Sequence, residues 1–414
     1  MNPHHRPSWA SPGRRGLLLA IAAALAGCAT SRRSAAWQPD AAMLAALPDE
    51  MRQAQVPAVS IAVLEEGELV WQHQQGLANA QTGQVLAPRA LFEAASLTKP
   101  LFAWLVLRLA SEGQLVLDEP LVHTLRPAWV DDHHWNARIT ARHVLSHTSG
   151  LPNWRRQPLE QTLRAASEPG TRLSYSGEAF FWLQLVVEQR TGLALPRLAQ
   201  RLLFQPAGMQ DSDLAWSDDV ARRAVWGHAA PRAACLVPLP RQMMREAWLQ
   251  AMPLATAWGR PLADWRWDDA QRAFNALGSA VPSAAVAWPG DLMSNAAASL
   301  RCTAADYARF LRVLMPAAAG PRLAPAWQRL FTEPQFETRP PWSAKTLGWN
   351  LERTAAGPLL YHAGNNAEQF RAFALADPAR GRALVVLTNG GGGDGVFRAV
   401  ISAATGLRLR AFDP

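Results

Sequence analysis

Lysine is nearly missing from this chain of 414 residues: among 41 Lys and Arg residues, only Lys99 and Lys345 are lysine. Arginine keeps its proton in any protein environment, whereas a desolvated lysine can release it. One of the two lysines stands three residues after a serine, Ser96. Tyrosine is also scarce, at three residues. Of three cysteines, Cys235 and Cys302 can pair in an oxidising compartment or stay free, and the sequence leaves both open. No Cys/His spacing suggests a metal site. Charged residues make up 18% of the chain and hydrophobic ones 49%, which excludes a disordered chain. The net charge is +8, but five arginines fall within the first 33 residues, and no nucleic-acid motif accompanies them. The basic excess therefore reads as solvated surface and a leader, with no nucleic-acid partner.

A long apolar run is also lacking. Gly16 to Ala26 is too short to cross a bilayer. It follows Arg14-Arg15 and precedes Leu25-Ala26-Gly27-Cys28, which resembles the lipobox of bacterial lipoproteins. The resemblance implies removal of residues 1–27, lipidation of Cys28 and export. Ala29, with no Asp after the cysteine, resembles lipoproteins held at the periplasmic side of an outer membrane. Several acyl chains, at ~0.8 kcal/mol per buried CH₂, make a stable anchor.

Around Ser96 the chain reads Phe92-Glu93-Ala94-Ala95-Ser96-Leu97-Thr98-Lys99-Pro100. Leu101, Trp104, Leu105, Arg108 and Leu109 recur at helical spacing until Gly113. Pro100 suits a first turn, whose amides have no partner to lose. Ser96 is thus predicted at a helix N-terminus, with the Lys99 amine one turn along on the same face. By itself Ser-x-x-Lys fits a capping serine beside a surface lysine equally well.

The rest of the chain supplies strands at both ends. Ala41 to Gln53 is predicted as a helix with Met43, Leu44, Leu47 and Met51 on one stripe. Ala58 to Leu64 and Leu69 to His73 read as a hairpin. Leu347 to Glu352, Pro358 to His362, Phe370 to Ala376 and Arg382 to Thr388 read as strands, and Val396 to Ala404 as a final helix. Between them lie helices at Thr140 to Leu145, Glu178 to Gln189, Pro196 to Phe204 and after Thr303. Seven tryptophans fall between Ser212 and Gly290 and are predicted to pack an irregular segment. His147 and Ser149 read as buried groups that fix a loop, and Lys345-Thr346-Leu347-Gly348 as a surface approach to the next strand. The predicted class is α+β: an antiparallel sheet built from both chain ends, flanked by helices, with a mainly helical insert at about 110–300. Residues 28–40 read as a tether and 41–410 as the folded domain.

Three separated pieces line up: Ser96-Leu97-Thr98-Lys99, Tyr175-Ser176-Gly177 and His362-Ala363-Gly364-Asn365. Together they resemble the serine β-lactamase and penicillin-binding-protein superfamily, in the branch of class C β-lactamases, D-alanyl-D-alanine carboxypeptidases and family VIII carboxylesterases. Secondary stretches at 143–152, 169–209, 297–310 and 347–349 agree, and the resemblance spans about Val56 to Ile401. It implies a β-lactamase-like fold and a hydrolase of esters or amides, including cell-wall peptides, that needs no cofactor. Ser96 would be the nucleophile, Lys99 its proton acceptor, and Tyr175 the partner base and acid, with a pKa lowered by cationic neighbours. His362 stands where relatives carry the lysine of Lys-Thr-Gly, as in the His-x-Gly form of esterase-like members. Backbone N–H groups of Ser96 and Asn365 would form an oxyanion hole, with Gly364 allowing close approach of the substrate strand. Two departures matter. Gly177 stands where β-lactamases carry an Asn that holds the substrate amide, which implies weak β-lactamase activity. Ala367-Glu368-Gln369-Phe370 replaces Pro-Gly-Phe and sets an acid near the pocket rim. The other reading is a low-activity or inactive cell-wall-binding lipoprotein on the same fold.

Overall fold

In the computed structural model, residues 37–229, 239–278, 285–316 and 318–413 are described. The expected leader, Cys28 and Cys235 lie outside these residues. Strand β1 (Ala58–Glu65) is apolar on both faces, and both faces are covered. Its Ala58, Ala62 and Leu64 enter the main core. Val59, Ile61 and Val63 point the other way, onto Met43, Leu47 and Met51 of α1 (Ala41–Gln53). The period of two along a strand makes this division. Strand β2 (Glu68–Asn79) alternates exposed and half-buried residues along most of its length. It runs several residues beyond the predicted hairpin arm and pairs with β3 (Gln84–Val85).

The chain then leaves the sheet for helices and returns. The central helix α2 (Thr98–Ser111) is buried at all but two of its positions, Arg108 and Ser111. Next come α3 (Ala141–Leu145), capped by Thr140, and α4 (Gly177–Thr191), ended by Gly192 in the left-handed conformation. Helices α5 (Met243–Ala257) and α6 (Trp267–Leu277) carry the tryptophan-rich segment, and α7 (Ala304–Leu311), capped by Thr303, leads back. Strands β4 (Phe336–Arg339), β5 (Ser343–Lys345), β6 (Asn350–Thr354), β7 (Gly357–Asn366), β8 (Phe370–Asp377) and β9 (Arg382–Thr388) precede α8 (Gly393–Thr405). The nine-stranded sheet has the order β3-β2-β1-β9-β8-β7-β6-β5-β4, antiparallel throughout. Both chain ends thus meet where β1 pairs with β9, as the α+β reading anticipated.

Two boundaries and one burial differ from the sequence reading. Trp37 belongs to the domain rather than to a tether: it is buried against α1, and its N–H donates to Glu65 Oε1 at 2.7 Å. The strand expected from Leu347 begins only at Asn350, because Gly348 (φ +95°) turns the chain hard against α2. A Cβ there would lie 2.7 Å from Ala103 Cβ. Lys345 is not a surface residue; it is buried at the end of β5. The tryptophans pack as expected, with Trp216 stacked on Trp248 and Trp258 on Trp265.

Candidate active site

Ser96 sits in a single 3₁₀ turn, Ala95–Leu97, that runs directly into α2. The turn is held at several points. Ala94 N–H donates to Leu300 O (2.8 Å), Thr98 Oγ1 donates to Ala95 O (2.6 Å), and the Tyr307 hydroxyl donates to Leu97 O (2.9 Å). Ala95 adopts φ +51°, a costly conformation for a residue with a Cβ, kept because its surroundings leave no alternative. Gly364 of β7 presses against this turn: a Cβ on it would lie 2.6 Å from Ala94 O. Gly364 thus abuts the turn that carries Ser96.

Three groups meet in direct contact. Lys99 Nζ donates to Ser96 Oγ at 3.2 Å and to Ala297 O at 3.0 Å. The Tyr175 hydroxyl donates to Ser96 Oγ at 2.8 Å. Burial lowers the Lys99 pKa to about 7, so near neutrality the amine is often uncharged and free to take a proton. Burial pushes the Tyr175 phenol up to about 12, against the opposing hydrogen bond with Ser96. The ring keeps 37% of its surface open, which tempers that rise but not its direction. The expected lowering of Tyr175 therefore does not occur. These shifts suit Lys99 to accept a proton and Tyr175 to donate one.

His147 lies under Tyr175, with ring centroids 4.3 Å apart and stacked. Its Nδ1 accepts from Ser176 N–H at 3.3 Å, so it fixes the loop that presents Tyr175, as read from the sequence. Ser149 likewise holds its loop, accepting from Leu151 N–H. His362 lines the same chamber from β7 but makes no hydrogen bond to Ser96, Lys99 or Tyr175 among the described residues. Its Nδ1 faces Ala363 O at 2.8 Å, which assigns the proton to Nδ1 and leaves the buried Nε2 an unpartnered acceptor. Burial holds both histidines well below the usual imidazole range, hence neutral. Lys345 is the residue that sequence reasoning missed. Its Nζ lies 5.8 Å from the Tyr175 ring centroid, and burial followed by the charge of Lys99 lowers it to about 7. The signal that could have found it is the scarcity of lysine itself.

Gly177 begins α4, behind the Ser176 cap. A Cβ on Gly177 would lie 2.1 Å from Cζ2 of Trp154, so the indole occupies the space of the missing side chain. Arg155 anchors that indole's loop. It is buried, pairs with Glu178 at 2.9 Å, and stacks over Trp129. Removing one partner of such a pair costs about 3–5 kcal/mol. Trp154 forms part of a shared wall with Ala298, Asn366 and Ala367. On one side is the catalytic chamber of about 630 Å³, lined by Ser96, Lys99, Tyr175, Lys345, His362, Gly364 and Asn365. On the other is a chamber of about 280 Å³ whose lining is mostly apolar, including Trp216, Met244, Trp248 and Trp288. Glu368 sits in the β7–β8 turn with φ +56°, its N–H held by Asn365 Oδ1 at 2.9 Å. Among the described residues no cluster of His, Cys, Asp or Glu could hold a metal.

A hydroxyl bonded at once to a buried amine and to a phenol, where a buried helix begins beside a strand of the sheet, is an arrangement suited to nucleophilic acyl transfer. The chain belongs to the β-lactamase family, whose sequence profile matches residues 43–405. It is 33% identical over 217 residues to esterase EstB of Burkholderia gladioli, covering 44% of this chain and 55% of the esterase. It is 28% identical over 177 residues to a D-aminopeptidase of Brucella anthropi, covering 38% of this chain and 33% of that enzyme. The matches thus span about half or less of these relatives' length. A class C β-lactamase structure superposes with a TM-score of 0.64 at 17% identity, over 89% of this chain and 97% of the other, a likeness of fold.

Proposed function

We propose that this protein hydrolyses carboxyl esters with an apolar acyl group, through an acyl-enzyme on Ser96. In this reading Lys99 takes the Ser96 proton as Oγ attacks the ester carbonyl. Backbone N–H groups of Ser96 and Asn365 hold the developing oxyanion. Tyr175 donates toward the leaving alkoxide, and water then releases the acid with the same groups in reverse roles.

The observation that carries the choice of ester is Trp154 packed on Gly177. In relatives with Asn at this position an amide recognises the substrate's amide carbonyl. Here the equivalent space presents an indole, next to an apolar chamber that opens from the same wall. Its volume of about 280 Å³ is near the lower limit of small-molecule sites, about 300–1,000 Å³. Acylamino substrates such as penicillins lose a partner, whereas alkyl or aryl acyl groups gain surface. The likeness to an esterase supports the same choice.

Incubation with a fluorophosphonate, and separately with a labelled penicillin, tests the reading by intact mass. A single fast adduct on Ser96 from the fluorophosphonate, with slow or no penicillin adduct, is expected. Rapid penicillin labelling would reassign the protein to cell-wall peptide chemistry. No adduct with either would favour a cell-wall-binding protein. We further propose export and a lipid anchor at Cys28, on the lipobox-like Leu25-Ala26-Gly27-Cys28. Radiolabelled fatty acid should enter the parent chain and not C28S.

A further inference from the structure

One side chain ties the end of β7 to the rest of the site. Asn366 Nδ2 donates to Glu93 Oε2 at 2.7 Å and to Ala298 O at 3.3 Å. A carbonyl can only accept, so Ala298 O fixes which end of the amide faces inward, and both hydrogens of that NH₂ are used. Glu93 is 4% exposed. It lies on the short strand Phe92–Glu93, three residues before Ser96, and pairs there with Arg301. Ala298 follows Ala297, whose carbonyl accepts from Lys99 Nζ at 3.0 Å. Asn366 itself follows Asn365, whose N–H is proposed for the oxyanion. A single amide therefore joins the segments that carry the nucleophile, the acceptor of the Lys99 amine and the oxyanion donor.

The strand end needs such a tie. Ala367 and Glu368, at φ +49° and +56°, follow one another in the left-handed region, and Gln369 N–H donates to Asn366 O at 2.9 Å across the turn. Neither is glycine, and such residues persist there only where the surroundings over-determine them. Gly364 presses on Ala94 O and so stops β7 from moving toward the Ser96 turn. That contact does nothing to stop β7 from moving away. The bond from Asn366 to Glu93 supplies the opposite restraint, pulling β7 onto the strand that leads into the turn. A contact that only filled space could be apolar at less cost, since burying a carboxylate is expensive. We propose that Asn366, held by Glu93, is a positioning residue of the reaction: it sets the distance from the Asn365 N–H to the carbonyl that Ser96 attacks. It acts through its backbone neighbour, and the role rests on the hydrolase reading.

N366D keeps the shape of the side chain but has no hydrogen to give, and it sets a second acid against Glu93. N366A removes the side chain without adding charge. With a chromogenic short-chain ester, each should lower kcat by about 10²-fold while KM stays within about 3-fold, the effect of misplacing a catalytic group by about 1 Å. Labelling of Ser96 by a fluorophosphonate should slow in parallel. E93Q/N366D reverses the bond, the new amide donating to the new carboxylate, and keeps one negative charge near Arg301. It should regain about 10-fold or more of the kcat lost in N366D. A contact that serves stability alone would lower the melting temperature of N366A and leave kcat of the folded enzyme unchanged. Parent-like kcat in N366A or N366D would overturn the proposal, as would a loss confined to KM or a double variant no faster than N366D. If N366D fails to fold, N366A against the parent decides. A parent protein that neither cleaves the ester nor takes the label sinks the hydrolase reading and this role with it. A reactive parent matched by its Asn366 variants sinks this role alone.

Discussion

The two chambers that meet at Trp154 differ in charge and in what that charge can do. The catalytic chamber gathers Lys99, Lys345 and His362, with His147 behind Tyr175, and leaves buried basic nitrogens without partners. The neighbouring chamber is lined mainly by indole, thioether and methyl groups, and its buried charged groups, Glu93 and Arg301, are of opposite sign. Burial raises the pKa of Glu93, and the charge of Arg301 opposes that rise. Low dielectric serves opposite ends in the two places. In the first it weakens an amine's hold on its proton; in the second it raises the cost of ionising an acid.

The sharpest way to break this comparison is to remove the nucleophile. S96A should lower turnover of a chromogenic short-chain ester by roughly four orders of magnitude or more while the fold remains, as checked by circular dichroism. K99M should cost about 10²–10⁴-fold. Because Lys99 works uncharged, kcat/KM of the parent enzyme should climb as pH rises through about 7, the value set by its burial. A profile flat from pH 5 to 9 would remove Lys99 as the base. G177N tests the wall between the chambers. Its side chain must displace the Trp154 indole, so the preference for long over short acyl esters should fall by about 10-fold, and penicillin acylation should quicken. A smaller, few-fold flattening of the same series is expected for W154A.

The smallest effect is on stability. Both lysines bind a proton more weakly folded, at about 7, than unfolded, at 10.5. The unfolded chain therefore holds more protons between those values, and stability from this source rises with pH across that window. K345M removes part of the penalty. Its melting temperature should exceed the parent's most at and below about pH 7, with the gap closing as pH rises toward 10.5.

Much of the catalytic chamber was legible because its pieces are local. Ser96 and Lys99 share one helical turn, and the strands that carry β1 and β9 announce themselves as apolar runs. The anchoring of Cys28 and the pairing of Cys235 lie outside the described residues. What could not be read depends on non-local pairing. Lys345 reaches Tyr175 only because β5, β6 and β7 lie side by side in the sheet, and no neighbour in sequence hints at it. Gly177 was visibly a departure, but the indole that fills its place comes from a loop fixed by the Arg155–Glu178 pair. Tyr175 was expected to be acidified by cations, and desolvation won instead.

The burial of both lysines also changes how this protein meets reagents. Amine-directed labels, cross-linkers and proteases that cut after lysine find no exposed lysine on the folded chain. Cleavage after Lys345, which is followed by Thr346 whereas Lys99 is shielded by Pro100, would therefore time the opening of the active site and make a lysine-specific protease a clock for its unfolding.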